Sequence, residues 1–426
     1  LFALITIFQT AILNAMMKTL PASNAERRAA GFWLVALAFT IVMAFTTVPT
    51  PLWSLYAQHD RFSSLTVTIA FAVYALAVAL SLFLVGHLSD SYGRRRVLMP
   101  ALALEILAAL VFVVSSTLPA LLIARVLSGL GIGAVTATAM AWISELGEAG
   151  HRRAQIVATA ANLGGLGLGG LIAGALAQWA GNPLHVPFVV FTVALVLAWA
   201  ALLIAPETRE RPTPRPRYRP QRVSVPAHSR GRFLAAALGA AIAFAVFGLL
   251  TSLAPSFLAG TLHQPSHLLA GPASFVAFAA AALAQTLIGS RTTHSLLVTA
   301  IPALLAGLGL LTIAVWLPAP SLGVFVVGDV IVGIGCGLTF KGAIETVAEI
   351  SAPEHRAEAL AGLYLASYLG LAVPVIGLGA LTQIASTRIS LLVFAALLVI
   401  GILIATPALL DRRASHPAPQ PQPASN

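Results

Sequence analysis

The chain of 426 residues has one cysteine, Cys336, two lysines, Lys18 and Lys341, and a charged share of only 9%. A single cysteine excludes an intramolecular disulfide framework and any site built from several thiolates. So small a charged share, against about 25% in soluble domains, excludes an ordinary water-soluble fold. The sequence has no Gly-x-x-x-x-Gly-Lys-Ser/Thr phosphate loop and no soluble segment long enough for an ATPase domain. Any uphill work must therefore draw on a gradient, a proton gradient being the expected source, or on a solute itself. It has no His-Glu-x-x-His run; His263 and His267 have helical spacing, but Pro265 stands between them and argues against a metal pair. A nucleophile elbow is missing too. The expectation is a protein with no cofactor, no metal and no enzymatic activity, since an enzyme embedded in a membrane would need a polar constellation that is not there.

What fills the chain is apolar: 58% of residues are hydrophobic, and the mean hydropathy is +0.92. A helix needs about 20 mainly apolar residues to cross the hydrocarbon core. Twelve such runs stand between polar, charged or Pro/Gly-rich breaks. The first six run from Trp33 to Tyr56, Leu65 to Gly86, Val97 to Val114, Leu118 to Ile143, Ile156 to Trp179 and Val186 to Ile204. The second six run from Phe233 to Phe257, Leu268 to Ile288, Leu296 to Trp316, Leu322 to Ile350, Ala357 to Ile384 and Ile389 to Leu410. The predicted fold class is an all-α polytopic membrane protein of twelve transmembrane helices in two six-helix pseudo-symmetric halves.

Orientation follows from Lys and Arg, which cytoplasmic loops retain. With the N-terminus inside, twenty of the 24 basic residues fall on the cytoplasmic side, Arg61 and Arg388 fall outside, and Arg125 and Lys341 lie within spans. The expected localisation is the plasma (inner) membrane, multi-pass, with both termini cytoplasmic. The net charge of +10 is then a topology signal, and no nucleic-acid partner is expected. Residues 1–32 read as an N-terminal segment whose apolar start is a start-site artefact, before Met16, or a peripheral helix. Residues 33–205 form the first half and 232–410 the second. Residues 206–231, with six prolines and seven arginines, form an extended cytoplasmic connector held near anionic lipid, and 411–426 a cytoplasmic tail.

The halves match at one offset of 204 residues, as an ancient duplication would leave them. Gly129, Gly131 and Gly133 map onto Gly333, Gly335 and Gly337, Arg125 onto Asp329, Glu145 onto Glu349, Arg152 onto Arg356 and Pro51 onto Pro255. After the second span comes Gly86-His-Leu-Ser-Asp90-Ser-Tyr-Gly93-Arg94-Arg95-Arg96. This resembles the signature loop of the major facilitator superfamily, and the likeness runs from about Trp33 to Leu410, including Arg125 to Gly133 of span four. It resembles bacterial drug or metabolite proton-coupled members. Ser91 stands where an arginine commonly follows the Asp. The corresponding loop of the second half, around Gly289-Ser290-Arg291, has no Asp.

The resemblance implies a secondary active transporter working by alternating access, with proton-coupled export of small organic or drug-like compounds as the first reading. A metabolite importer or an uncoupled facilitator of the same fold is the alternative. Expected partners are a small-molecule substrate and the lipid bilayer, with the chain acting as a monomer. A cytoplasmic gate is expected from Gly86, Asp90, Gly93 and Arg94, supported by Glu145 with Arg152 and by Glu349 with Arg356, with bonds from the glutamates across to the loop as the alternative to pairs within each helix end. Ionisable residues in hydrocarbon are functional candidates by default. Arg125 and Asp329 would form an ion pair across the central cavity, either static or alternating with proton and substrate. Lys341 and Glu345, one helical turn apart, would form a local salt bridge or a substrate or proton site. Glu105 reads as a hydrogen-bonded structural acid. Asn162 sits among the glycines of span five, which resemble the glycine-rich antiporter motif but lack its Gly-Pro step. Thr46, Thr47, Thr50, Thr251, Ser252, Tyr74, Gln285, Tyr364 and Tyr368 are the uncharged candidates for the cavity wall. A mostly apolar cavity with a few charges suits a lipophilic or amphipathic solute.

Overall fold

The computed structural model describes residues 23–59, 62–147, 150–209, 223, 225, 229–253, 258, 267–288, 291–353 and 355–411. Expectations for Met16, for most of the connector, for Pro255, His263, Pro265, Gly289 and Ser290, and for the tail beyond Asp411 lie outside these residues. The described elements are helices, named here α1 Asn24–Thr47, α2 Ser64–Val85, α3 Arg94–Val114, α4 Leu118–Leu146, α6 Val186–Leu202, α7 Arg230–Ser252, α8 His267–Leu287, α9 Thr293–Trp316, α10 Leu322–Ile350, α11 Arg356–Leu381 and α12 Thr387–Leu410. Helix α5 runs as His151–Thr159, a π-helical turn Ala160–Gly164, and Gly165–Trp179. Among the described residues ten helices are long and apolar enough to cross a membrane, and Val186–Leu202 and Gly271–Leu287 are shorter apolar helices. Large apolar side chains remain exposed on the outer faces, Leu37, Leu80, Leu397 and Ile404 among them, as lipid-facing positions require.

The helix starts follow from side-chain caps as much as from hydropathy. At α1 the Ser23 hydroxyl accepts from the backbone N–H of Glu26, and the Glu26 carboxylate accepts from that of Ser23. This reciprocal box starts the helix well before Trp33, where the apolar run begins. Ser63, Thr292, Ser321 and Ser386 accept from the first turns of α2, α9, α10 and α12 in the same way. The expected first span does not run unbroken to Tyr56. With Pro49 and Pro51 removing backbone donors, α1 ends at Thr47, and a 3₁₀ turn Thr50–Leu52 leads into a short helix Trp53–His59.

Two large hydrophobic clusters form the interior, with a small third one, Ala284, Leu296, Ala300 and Leu338, where α8, α9 and α10 meet. One joins the buried faces of α1 to α6 and takes in Tyr368, Leu371, Ala372 and Val375 of α11; the other joins those of α7 to α12. The halves meet along two seams, α2 against α11 and α5 against α8. Their internal packing repeats: a Cβ on Gly133 would stand 2.7 Å from the Val78 carbonyl oxygen on α2, and a Cβ on Gly337, its match at the 204-residue offset, 2.9 Å from the Ala281 carbonyl oxygen on α8. Helix backbones approach that closely only where side chains are small. The polar ties repeat as well. Ser81 donates to the Leu130 carbonyl at 2.6 Å, and Gln285, which is 204 residues further on, donates to that of Gly337 at 2.9 Å. The result is an all-α protein of twelve helices in two six-helix halves.

Candidate functional site

Between the halves lies a cavity of about 610 Å³ walled by α1, α2, α4, α5, α7, α8, α10 and α11. Aromatic rings cluster in its wall. Phe340 and Tyr368 pack on Phe244 with ring centroids 4.9 and 5.4 Å away, Tyr364 stands 5.9 Å from Phe340, and Phe247 stacks on Phe278 at 4.6 Å. Set into this wall are Asn162, Gln155, Gln285, Lys341 and Glu345. The π-helical turn widens the ladder of α5 by one residue where Asn162 sits, and such bulges recur at functional sites.

The cavity reaches the end of the molecule that carries Arg94, Arg152 and Arg356: Ser144, Gln155 and Glu345, close to the helix ends there, are part of its wall. At the opposite end it is sealed. Gly170 of α5 and Gly271 of α8 come so close that a Cβ on Gly271 would stand 2.5 Å from the Gly170 carbonyl oxygen. Thr68 of α2 fills the place of a side chain at Gly379 of α11, and Thr47 donates to the Leu166 carbonyl at 2.7 Å, tying α1 to α5.

Ten of the residues singled out in the sequence line this cavity: Thr46, Thr47, Tyr74, Asn162, Thr251, Gln285, Lys341, Glu345, Tyr364 and Tyr368. Arg125, Asp329 and Thr50 do not. Arg125 is buried behind Tyr74, its guanidinium carbon 4.2 Å from that ring's centroid, and it donates to the carbonyls of Thr46 at 3.1 Å and Ala70 at 3.5 Å. Asp329 is buried on the stretch of α10 whose Gly328 and Gly333 pack on α9 and α8, and neither of its oxygens has a hydrogen-bond partner. No ion pair joins Arg125 to Asp329. The repeat puts the two at matching heights, but each side chain is buried within its own half. Thr50 is buried in the 3₁₀ turn beyond α1. Glu105 is buried and accepts from the Ser128 hydroxyl at 2.9 Å.

The expected salt bridge between Lys341 and Glu345 is not formed either. Glu345 accepts from the Thr293 hydroxyl at 3.2 Å and is thereby drawn toward α9. Gln155, Thr159 and Ser144 belong to the wall although nothing in the sequence singled them out. Their signal is only a position on a face of α4 or α5 that cannot be distinguished from a lipid-facing one before the halves are assembled.

At the arginine-rich end, the signature loop forms a compact ion network. Gly93 turns the chain at φ 98°, a left-handed conformation that favours glycine. Arg94, 3% exposed, pairs with Asp90 at 2.7 Å and with Glu145 at 2.8 Å, and donates to the Ser89 hydroxyl at 2.6 Å. Arg209 joins Glu145 at 2.8 Å. The Glu207 carboxylate accepts from the backbone N–H groups of Arg94 at 2.9 Å and Arg95 at 3.1 Å, capping the start of α3 where the helix dipole favours an anion. Gly86 ends α2. Among the described residues this network lies wholly within the first half and the start of the connector. Glu145 therefore bonds across to Arg94, and its pairing with Arg152 is not formed. Glu349 instead accepts from Thr293 and lies 3.7 Å from Arg232, with no pairing to Arg356.

The comparisons with known proteins agree with this geometry. The family model described as Major Facilitator Superfamily matches residues 34–315 and 297–426. The chain belongs to that superfamily, and it is a multi-pass membrane protein whose family and fold are those of transporters of small molecules. A bacterial homolog of the human lysosomal transporter Spinster, solved in an inward-facing and unoccupied conformation, shares the fold with a TM-score of 0.65 at 18% identity, over 90% of this chain and 97% of that one. The human organic anion transporter MFSD10 (TETRAN) does so with a TM-score of 0.64 at 15% identity, over 89% and 99%. A mutant of the nucleoside transporter NupG does so with a TM-score of 0.66 at 13% identity, over 89% and 99%. In sequence, the arabinose-proton symporter of Bacillus subtilis (strain 168) is 42% identical over 60 residues, which is 14% of this chain and 13% of that protein.

Proposed function

We propose that the protein is a secondary active transporter that works by alternating access and couples proton entry to the export of small organic or drug-like compounds. In this reading it acts as a monomer in the plasma (inner) membrane, with both termini and the arginine-rich end on the cytoplasmic side. The observation that carries the proposal is the cavity between the halves, with aromatic rings clustered in its wall, reaching one end and sealed at the other. Rocking of one half against the other would exchange the open end for the closed one. Glu345 supplies a cavity-facing carboxyl that accepts from the Thr293 hydroxyl and can take up and release a proton within the cavity. Asp329 lies off the cavity and is not needed in that step.

The test is proton flux in proteoliposomes loaded with a pH dye, as lipophilic cations, neutral drugs, sugars and organic acids are added one at a time. Wild type is expected to move protons on addition of a transported compound, Glu345→Gln to lose that signal, and Asp329→Asn to keep it. Movement of labelled solute by wild type with no proton signal would sink the coupling. Proton-linked uptake is the second reading, favoured by the local likeness to a sugar–proton symporter. Accumulation of solute on the side away from the arginine-rich loops would decide for export, and accumulation on the same side for uptake.

A further inference from the structure

A small polar recess of about 80 Å³ opens from the main cavity between α5 and α8. Its wall holds Arg152, Gln155 and Thr159 of α5, Gln285 and Thr286 of α8, and Lys341 of α10. Gln155, Thr159, Gln285 and Lys341 also line the main cavity, so the two spaces are continuous. Two cations therefore converge on one recess. Among the described residues neither makes an ion pair or a hydrogen bond, and the nearest acid on α10, Glu345, is turned to Thr293, although its charge still acts on Lys341 from one turn away. Two cations beside one carboxylate leave an excess of positive charge, and a wall of amides and hydroxyls does not neutralise it. Apart from Ile156, each side chain there carries an N–H or O–H group, the Gln285 amide and the Thr286 hydroxyl each also donating to a carbonyl, of Gly337 and of Ala282.

We propose that this recess is an anion site and that the solute of the cavity is an amphiphilic monoanion. Its single carboxylate, sulfonate or phosphate-ester head sits between Arg152 and Lys341, and its apolar body lies against Phe244, Phe278 and Phe340. A second negative charge on the body would meet Glu345, which selects for one charged end. The inference rests on the reading of the cavity as the transport site and names the class of compound that site takes. The same head-group chemistry is available from a soluble aromatic acid or from an anionic lipid, since Arg152 is exposed at the arginine-rich end of α5.

The experiment is equilibrium binding of 2-naphthalenesulfonate and of neutral 2-naphthalenemethanol to the full-length protein in an uncharged maltoside detergent. The sulfonate is expected to bind at least about tenfold tighter than the alcohol, the range for a hydrogen bond to a charged group. Lys341→Gln and Arg152→Gln should each weaken the sulfonate about tenfold and leave the alcohol unchanged, while Lys341→Arg keeps sulfonate binding. Arg153→Gln is the control, because Arg153 lies over Trp33 and outside the recess. If Lys341→Gln is not recovered folded, Arg152→Gln, at an exposed position, carries the test. Repeating the titration in nanodiscs separates the sources: competition by phosphatidylglycerol, relative to phosphatidylcholine alone, assigns the site to lipid head groups, and its absence assigns it to soluble acids. Equal affinity for sulfonate and alcohol, or sulfonate affinity indifferent to both substitutions, overturns the proposal. Charge-dependent binding in a protein that moves no solute overturns transport and leaves the anion site. Solute flux without charge-dependent binding does the reverse.

Discussion

Arg94 is 3% exposed and answers two carboxylates, so its removal leaves Asp90 and Glu145 facing each other with only Arg209 between them. Arg94→Gln is expected to lower stability by about 1–3 kcal/mol, the range for hydrogen bonds to charged groups, with the half-open surroundings of Asp90 keeping it below the cost of a fully buried pair. Thermal unfolding of the detergent-solubilised protein measures this. A second prediction concerns the ring over Arg125. Tyr74→Leu takes away the aromatic face above a desolvated guanidinium and should cost about 2 kcal/mol, whereas Tyr74→Phe keeps the face and should cost less than half of that by the same measurement. Of these residues, Asp90 and Arg94 were legible in the sequence because they share one short loop, whereas Glu145 was expected either to pair with Arg152 or to bond across to the loop, and only the folded half decides between the two. Glu207 was not: it caps α3 from a segment more than a hundred residues away, and only the folded half brings it there. Arg125 and Asp329 show the limit of a repeat. An offset locates two residues along equivalent helices without giving the direction in which each side chain is turned.

The twelve helices were legible because each is apolar on every side, a property that needs no partner to be recognised. Their ends were less so, since α1 starts at a serine cap outside the apolar run and stops at prolines inside it. Helix α5 carries the most information. Its glycines serve two neighbours at once, Gly165 and Gly169 meeting α1 while Gly167 and Gly170 meet α8, and between them and the ion-rich end lies the π turn. A side chain at the α8 contact has nowhere to go. Gly271→Val is expected to part α5 from α8 and shift the substrate-free protein toward a state open at the far end. Ser274, buried on the same face of α8, reports it: Ser274→Cys should react with a membrane-impermeant maleimide several-fold faster in the Gly271→Val background than alone. An unchanged rate would show that the seal absorbs the added methyls.

The molecule as a whole is two helical bodies around a space, and which end of the space is open was not readable from the chain. The native thiol makes this measurable, because Cys336 is buried and should stay silent to polar reagents. Gln155→Cys is expected to label from the side of the arginine-rich loops only, and to be protected by any compound that fills the cavity; labelling from the opposite side would contradict the arrangement seen here. One consequence follows from how the far end is closed. Where α5 meets α8, main chain lies on main chain at Gly170 and Gly271, with no interlocked rotamers to be released before the surfaces slide. Such a joint behaves as a smooth bearing and not as a latch. In a rocking cycle friction along it would be low, and the speed of switching would be set instead by the heavier side chains at the other seam and by the ion cluster that stiffens one body.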